Sequence, residues 1–226
     1  MNDTPELEAI DSSNLGDIVY RRLCEALMRG RFPPGTRLTI RELAGLLGTS
    51  GTPVRDAILR LVQDEALVQT RGREVRVPVM SQRRYQEIRS IRTRLEGLAA
   101  REAALSATPE DVARLRDLIR RGEIAIGEER WHDAVELNQM FHGAFAGIAG
   151  MPVLSSILGR LWLQMGPLIA DAYANGGRLM NHAHDRIVDA VAAREPDAAE
   201  AAMIRDINDA SGLIVSRIDS LGGARA

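Results

Sequence analysis

Residues 39–63 read TIRELAGLLGTSGTPVRDAILRLVQ, and this stretch decides the fold of the first part of the chain. Thr39 and Glu42 have the spacing of a capping box, in which the threonine hydroxyl accepts from the Glu42 amide and the glutamate accepts from the Thr39 amide. The apolar segment that follows ends at a glycine-rich break. Beyond the break, Thr52 is predicted to cap a second helix that has Pro53 in its first turn. The pattern therefore predicts two helices joined by a tight turn.

The flanking residues extend this pattern to a small domain over residues 15–80. Apolar residues recur at helical spacing over 15–27 and predict a helix before the pair. After the pair, residues 67–70 and 75–79 are rich in β-branched side chains and predict two short strands. The turn at 71–74 carries two arginines. A helix-turn-helix followed by such a hairpin is typical of a winged helix.

From Ser81 onwards the chain is predicted to be a bundle of helices joined by short loops. Six helices are expected, over residues 82–106, 109–127, 131–149, 152–175, 178–194 and 197–218. The predicted fold class is therefore mainly α, with a winged helix-turn-helix domain at 15–80 and an all-helical domain at 81–220. Residues 1–14 are expected to form a disordered tail, and the Gly- and Ala-rich residues 221–226 a flexible one.

Composition and charge place limits on the function. The chain has 226 residues, 45% of them hydrophobic, with a net charge of −2, and residues 15–80 carry eleven arginines against seven acidic residues. A basic first domain is suited to binding the phosphate backbone of a nucleic acid. The acidic N-terminus lacks the pattern of a secretion signal, the single Cys24 has no disulfide partner, and no apolar run approaches a membrane span. We expect a cytoplasmic protein that does not bind membranes.

A helix, a turn and a second helix are by themselves a weak signal, because many all-α proteins contain that geometry as plain packing. The residues are more specific. The runs PGTRL at 34–38, RELA at 41–44 and LGTSGTPVRDA at 47–57, with Leu67 and the Arg71-Gly72 turn, resemble the winged helix of GntR-type bacterial transcriptional regulators. This resemblance implies that operator DNA is contacted by Arg41, Ser50, Thr52, Arg55, Arg71 and Gly72.

Two positions depart from the pattern of that family. Gly51 stands where the family usually has an arginine, and an arginine paired to guanine contributes about 1–3 kcal/mol of base discrimination. We therefore expect sequence specificity to be weakened or relocated, while binding to phosphates remains. Glu65 stands where a glycine commonly ends the recognition helix, so a differently shaped turn is expected there.

The second half of the chain resembles the all-helical FCD ligand-binding domain of the FadR-type GntR subfamily. The resemblance rests on IRTRLEGLAA at 91–100, Phe141-His142 and HDRIV at 184–188, and covers roughly residues 81–217. It implies a homodimer and an effector that is a small organic acid or related metabolite. It also implies, in many members, a divalent metal held by one aspartate and three histidines.

In this chain the corresponding metal-ligand positions are Asn138, His142, His184 and Asp206. An amide replaces the usual aspartate, and a carboxylate replaces the last histidine. The altered ligand set still suits zinc or nickel, with a reduced affinity. The alternative is a metal-free pocket in which the four side chains bind each other or the effector. Arg92 is the candidate cation for an effector carboxylate. Otherwise it is one of several surface or interdomain arginines of its helix.

The function that follows is a dimeric transcriptional regulator, not an enzyme, whose effector changes the placement of two winged heads on operator half-sites. A competing hypothesis is a metal-dependent phosphohydrolase using His142, His184, Asp185 and Asp206, because their order resembles that of helical metal phosphohydrolases. A third hypothesis, drawn from Gly51, is an effector-binding scaffold whose DNA head has decayed.

Overall fold

The structure is a computed structural model that describes residues 15–70, 72, 74–176 and 184–223. The tail expected at 1–14 and the Arg71 assignment lie outside the described residues. Of the flexible tail expected at 221–226, the first three residues are the end of a helix. The mainly α fold class is confirmed.

In its described residues, the first domain contains three helices and a three-stranded antiparallel sheet. Its elements are α1 (Leu15–Met28), β1 (Arg37–Leu38), α2 (Ile40–Leu47), α3 (Gly51–Gln63), β2 (Val68–Gln69) and β3 (Val75–Arg76). The strand order is β1-β3-β2, with Leu38 opposite Val75 and Gln69 opposite Val75 on the other side. Both predicted strands are shorter than expected. β1 was missed because two residues are too few to show an alternating pattern.

The caps of α2 and α3 differ in part from the sequence prediction. The Thr39 hydroxyl accepts from the Glu42 amide at 3.2 Å, as predicted, but the glutamate accepts from the Thr39 hydroxyl at 2.7 Å rather than from the amide. The cap of α3 is Ser50, so the prediction of Thr52 was wrong. The reason is the left-handed backbone of Gly48, at φ 64°, which completes the turn early enough for helix geometry to begin at Gly51.

Glu65 takes the left-handed conformation, with φ 58°. Its amide donates to the Val62 carbonyl at 3.1 Å, and the Ala66 amide donates to the Leu61 carbonyl at 2.9 Å. This pair of hydrogen bonds is a Schellman motif, in which a glycine usually takes the left-handed position. The expectation of a differently shaped turn was therefore wrong.

The same closure at the end of the fifth helix, residues 109–127, gives a stability prediction. Glu129 has φ 57°, where a side chain is strained, whereas Glu128 has φ −93°. Glu129→Gly is expected to raise the free energy of unfolding by about 0.5–1 kcal/mol, because glycine relieves the strain. Glu128→Gly, the matched control, is expected to lower it. Urea denaturation of both variants checks the pair, and stabilisation by both or by neither contradicts the argument.

The second domain consists of seven helices in the described residues, one more than the sequence predicted. They are α4 (Gln82–Ser106), α5 (Pro109–Gly127), α6 (Trp131–Ile148), α7 (Pro152–Gly176), α8 (His184–Ala192), α9 (Pro196–Asp209) and α10 (Ser211–Gly223). α4 packs along α9, α5 packs on α6, and α8 packs on α9. The helix predicted at 197–218 is divided at Ala210, and the one predicted at 178–194 is described only as α8.

α7 is shared by the two domains. Its Leu163 is buried in the hydrophobic core of the first domain, while Met165 is buried in that of the second. Gly166 permits a close approach, because a Cβ there would lie 2.7 Å from the Met28 Cα. The two domains are therefore packed together along one helix, with α1 lying against α7.

The hydropathy of α7 was underestimated from the sequence. Residues 152–175 have a mean hydropathy of 1.3 in their most apolar window, so this helix is long and apolar enough to cross a membrane. More than half of that window is buried inside the protein. A helix that contributes to two cores has this composition without any membrane.

Candidate nucleic-acid interface and metal centre

The side chains predicted to contact DNA are exposed near the start of α2 and α3. Arg41, Ser50, Thr52 and Arg55 are all solvent-exposed. Within the described part of the chain, neither Arg41 nor Arg55 forms an ion pair, so both guanidinium groups are available to a ligand. Gly72 is exposed in the turn between β2 and β3.

α3 presents one face to the core and the other to solvent. Val54, Ala57, Ile58 and Leu61 are buried, which leaves Arg55 on the outer side, at the edge of a groove bordered by the sheet. The Ser50 side chain makes no capping bond. Its hydroxyl and the first amides of α3 are therefore available for a phosphate at the positive end of the helix dipole.

Two further residues of α3 contribute to this surface in different ways. Arg60 is held within the domain by Asp17, at 2.6 Å, and by the ring of Tyr20, whose centroid is 4.0 Å away. A Cβ at Gly51 would lie 3.2 Å from Ile40 Cγ2, which is a tight contact. Gly51, at which the resembled GntR pattern has an arginine, is therefore closely packed against Ile40.

In the second domain, three predicted metal ligands from three helices converge. One nitrogen of His142 (α6), one of His184 (α8) and one carboxylate oxygen of Asp206 (α9) lie within 4.8 Å of one another. Asp206 Oδ2 lies 3.4 Å from His142 Nε2, and Asp206 Oδ1 lies 3.5 Å from His184 Nε2. All three side chains are buried.

These separations fit a divalent metal better than a network of hydrogen bonds. Two ligands about 2.1 Å from one zinc ion at tetrahedral angles are about 3.4 Å apart, whereas a hydrogen bond to a carboxylate is usually about 2.8 Å. Two buried atoms, Asn138 Oδ1 and His184 Nε2, have no hydrogen-bond partner. Asn138 borders the same small cavity as His142 and Asp206. An ion there would give both orphaned atoms a partner.

Glu96, for which the sequence analysis proposed no role, orients this centre. One oxygen lies 2.7 Å from His142 Nδ1 and the other accepts from Arg92 Nε at 2.6 Å. A carboxylate on Nδ1 fixes the imidazole so that Nε2 faces the centre, which is the usual support for a metal-ligating histidine. The i, i+4 spacing of Arg92 and Glu96 is the one sequence signal that could have indicated it.

Charge is balanced within the centre before any metal binds. Burial favours neutral His142, but the carboxylates of Glu96 and Asp206 outweigh burial and raise its pKa to about 9. Burial likewise opposes ionisation of Glu96, yet Arg92 and His142 lower the pKa of that carboxyl to about 2. The pKa of Asp206 is lowered by the two histidines in spite of its burial. A metal at Nε2 would therefore replace the imidazolium proton.

Arg92 is not a free cation. It is 4% exposed, it is paired to Glu96, and its guanidinium lies 4.0 Å from the centroid of the Trp162 ring. It does border the cavity at the metal centre, together with the half-buried Arg89. That cavity has a volume of only about 30 Å³, room for no more than a few waters. An effector of several heavy atoms requires this wall to open.

Asp185, the fourth member of the proposed phosphohydrolase set, lies apart from the centre. It is exposed on α8, whereas the neighbouring His184 is buried. In the described residues, Asp185 does not belong to the group of converging ligand atoms.

Comparison with known proteins decides the family. Residues 15–77 match the gntR family of bacterial regulatory proteins, and residues 87–209, more than half of the chain, match the FCD domain. The chain belongs to the GntR regulators that carry an FCD domain. This GntR protein is therefore a DNA-binding transcriptional regulator with an effector-binding helical domain. The family is not one of enzymes, so the phosphohydrolase hypothesis was wrong.

Named relatives agree with this assignment. The GntR protein is 36% identical to the HTH-type transcriptional regulator McbR of Escherichia coli K12 over 149 residues, 66% of this chain and 67% of the relative. It is 25% identical to the HTH-type transcriptional repressor RspR of the same strain over 213 residues, 92% of each chain. The solved structure of E. coli McbR/YncC superposes with a TM-score of 0.83 at 28% identity, covering 90% of this chain and 98% of that one.

Proposed function

We propose that this regulator binds a divalent metal at Asn138, His142, His184 and Asp206, and that a small carboxylate effector binds there and alters its affinity for operator DNA. The observation that carries the proposal is the centre itself: three buried ligands converge, one of them with an orphaned nitrogen, His184 Nε2, and the orphaned Asn138 Oδ1 borders the same cavity. Zinc and nickel both accept imidazole and carboxylate ligands. When bound, the metal supplies a Lewis-acidic partner for the effector carboxylate.

The residues of this chain would bind the effector at the wall of the small cavity. Arg89 is half-buried on that wall and bonds Ser211 Oγ at 2.7 Å, so it can turn towards a ligand more readily than the fully paired Arg92. Arg92 supports the site through Glu96, which orients His142. Opening the cavity for an effector means moving helices that line it, α4, α6, α7, α9 and α10, relative to one another.

The effector site is coupled to the winged-helix domain through α6, which faces the metal centre on one side and the end of α1 on the other. Gln139, next to Asn138, donates to the Met28 carbonyl at 2.8 Å, and Glu136 pairs with Arg29. A shift of α6 on effector binding is therefore transmitted to α1 and the winged helix. An effector that weakens operator binding tenfold must prefer the DNA-free form by about 1.4 kcal/mol.

Operator binding is assigned to Arg41, Ser50, Thr52, Arg55 and the wing turn at Arg71 and Gly72. Two winged helices in a homodimer would read two half-sites of a near-palindromic duplex in the bacterial cytoplasm. Exposed apolar side chains of the second domain support an interface between copies. They include Ile124, Met140, Val153 and Ile157.

The test begins with EDTA-treated protein, to which zinc or nickel is added in thermal unfolding experiments. Metal is expected to raise the melting temperature, because it binds only the folded site. Asn138→Asp is expected to increase metal affinity about 10-fold or more, since it restores an anionic ligand. His184→Ala is expected to abolish the effect of metal.

The matched control is Asp185→Asn, which alters the exposed neighbour of His184 and should leave metal affinity unchanged. Small carboxylates are then screened for stabilisation that requires metal, and those that bind are tested for a change in operator affinity. Equal metal affinity in wild type and His184→Ala would contradict the metal centre. Carboxylate binding that is indifferent to metal would support the metal-free alternative.

A further inference from the structure

The groove between α3 and the three-stranded sheet holds a second exposed arginine besides Arg55. The groove has a volume of about 410 Å³ and is bordered by α3 on one side and by β1, β2 and β3 on the other. Arg37 on β1 and Arg55 on α3 both line it, and both are exposed. Arg55 is assigned to the operator, whereas Arg37 has no part in that assignment. The groove therefore contains a cation that the operator interface does not yet use.

A duplex that is read by α3 must also pass over this groove. The recognition helix of a helix-turn-helix protein enters the major groove of DNA, and the wing turn at 71–74 is assigned to the duplex beside it. The sugar-phosphate strand that bounds the major groove on that side lies between these two contacts. A cation at Arg37 would therefore meet phosphates rather than base edges. This step rests on the proposed operator interface.

One carboxylate holds Arg37 in the free protein. Glu74 Oε1 lies 2.9 Å from Arg37 Nε, and the same carboxylate accepts from Arg76 Nη2 at 2.9 Å and from Arg76 Nε at 3.1 Å. Arg76 also donates from Nη1 to the Gly35 carbonyl at 3.0 Å, so all three of its nitrogens are engaged. The terminal nitrogens of Arg37 have no partner among the described residues, and its side chain is 63% exposed. Arg37 is the member of this cluster that can take a second acceptor.

We propose that Arg37 is a further contact to the DNA backbone, and that Glu74 positions it and limits the positive charge that the groove presents. A guanidinium matches two oxygens of a phosphate in two-point geometry. Because an exposed ion pair contributes little to stability, Arg37 can exchange the Glu74 carboxylate for a phosphate. Glu74 itself repels the backbone, so it lowers the affinity for every duplex irrespective of base sequence.

The experiment measures dissociation constants of the full-length protein for two duplexes by fluorescence anisotropy. One duplex is selected by the wild type from a random-sequence pool, the other is unrelated and of the same length, and salt is varied between about 50 and 200 mM. Arg37→Gln is expected to weaken binding to both duplexes by the same factor, about fivefold or more. The slope of log affinity against log salt should become shallower by about 0.9 for each copy of the contact.

Glu74→Gln gives a second measurement with an effect of the opposite sign. The variant keeps the size of the side chain and one acceptor for the arginines, but removes the negative charge. It is expected to tighten binding to both duplexes and to make the salt dependence steeper, because the groove then presents one more positive charge. A carboxylate that only tied β1 to β3 would instead give weaker binding, or no change, when it is replaced.

Arg22→Gln is the matched control. Arg22 is a comparably exposed arginine of the same domain, with 67% of its side chain accessible, and it too is paired with a glutamate, Glu25, at 3.3 Å. Glu25 lies beside α6 and α7, away from the groove that contains Arg37. The control should change the affinity for either duplex by less than about twofold, with the salt slope unchanged.

The outcomes separate this inference from the operator interface on which it rests. Unchanged affinity and slope in Arg37→Gln, with a loss in Arg55→Ala, would overturn the backbone contact and retain the recognition helix. Unchanged affinity in both variants would overturn the operator interface as well. A loss in Arg37→Gln that is confined to the selected duplex would indicate a base contact and reject the assignment to phosphate. Weaker or unchanged binding in Glu74→Gln would reject the role of the carboxylate.

Discussion

Arg55→Ala is expected to lower the affinity for operator DNA by about 10- to 100-fold, within the 1–3 kcal/mol that a bidentate arginine contributes at one base. Arg55 is exposed on α3, has no intramolecular ion pair in the described residues, and lies beside the free N-terminus of that helix. The measurement is a gel-shift titration with a duplex selected from a random-sequence pool by the wild-type protein. The loss should be larger for that duplex than for unrelated DNA.

Arg60→Ala is the matched control on the same helix. Arg60 is occupied by Asp17 and Tyr20 within the domain, so its replacement is expected to change operator affinity less than about threefold. Near-unchanged affinity in Arg55→Ala would reject the assigned recognition helix. An equal loss on all duplexes would show that Arg55 contacts phosphate rather than a base. Weak, sequence-indifferent binding by the wild type would favour the decayed-head hypothesis.

Glu96→Ala is expected to lower the free energy of unfolding of the EDTA-treated protein by about 3–5 kcal/mol, the cost of removing one partner from a buried ion pair. The change leaves Arg92 and His142 buried without the carboxylate that both contact. The corresponding fall in melting temperature is about 6–20 °C for a chain of this size. Chemical denaturation followed by far-UV circular dichroism provides the measurement.

Glu87→Ala is the control, because Glu87 is exposed on the same helix, and it should change stability by less than about 0.5 kcal/mol. The double variant Arg92→Met, Glu96→Leu should recover part of the loss, since it leaves one charge fewer without a partner. A loss below about 1 kcal/mol in Glu96→Ala would show that the three side chains do not form a tightly coupled buried cluster.

Much of the first domain was predictable, because its signals are local. The capping threonine of α2, the turn glycine and the amphipathic pattern of α3 act within a few residues of themselves, and they place Arg55 on the solvent side. The positions of His142, His184 and Asp206 were available from a family resemblance, but sequence spacing alone did not place them together. The exact cap of α3, the two-residue strand β1 and the end of α8 were not predictable from these patterns.

What only the tertiary structure decided involves groups far apart in the chain. Ala210, at which α9 and α10 divide, keeps helical backbone angles, and the bond from Arg89 to Ser211 holds the start of α10. The contact between Glu96 and His142 joins residues 46 positions apart. Neither the burial of an ion pair nor an indole N–H without a hydrogen-bond partner has a local sequence signature.

The sequence by itself determined most of the helices, the capping threonine of α2 and the exposed arginine of α3, since hydrogen bonds and amphipathic periodicity over a few residues are encoded where they act. The tertiary structure decided that α7 belongs to both cores, that Glu96 bonds His142 in the candidate metal centre, and that a groove opens beside the contact between α1 and α6. These features depend on how long-range packing excludes water, and that is a property of the assembled helices rather than of any one segment.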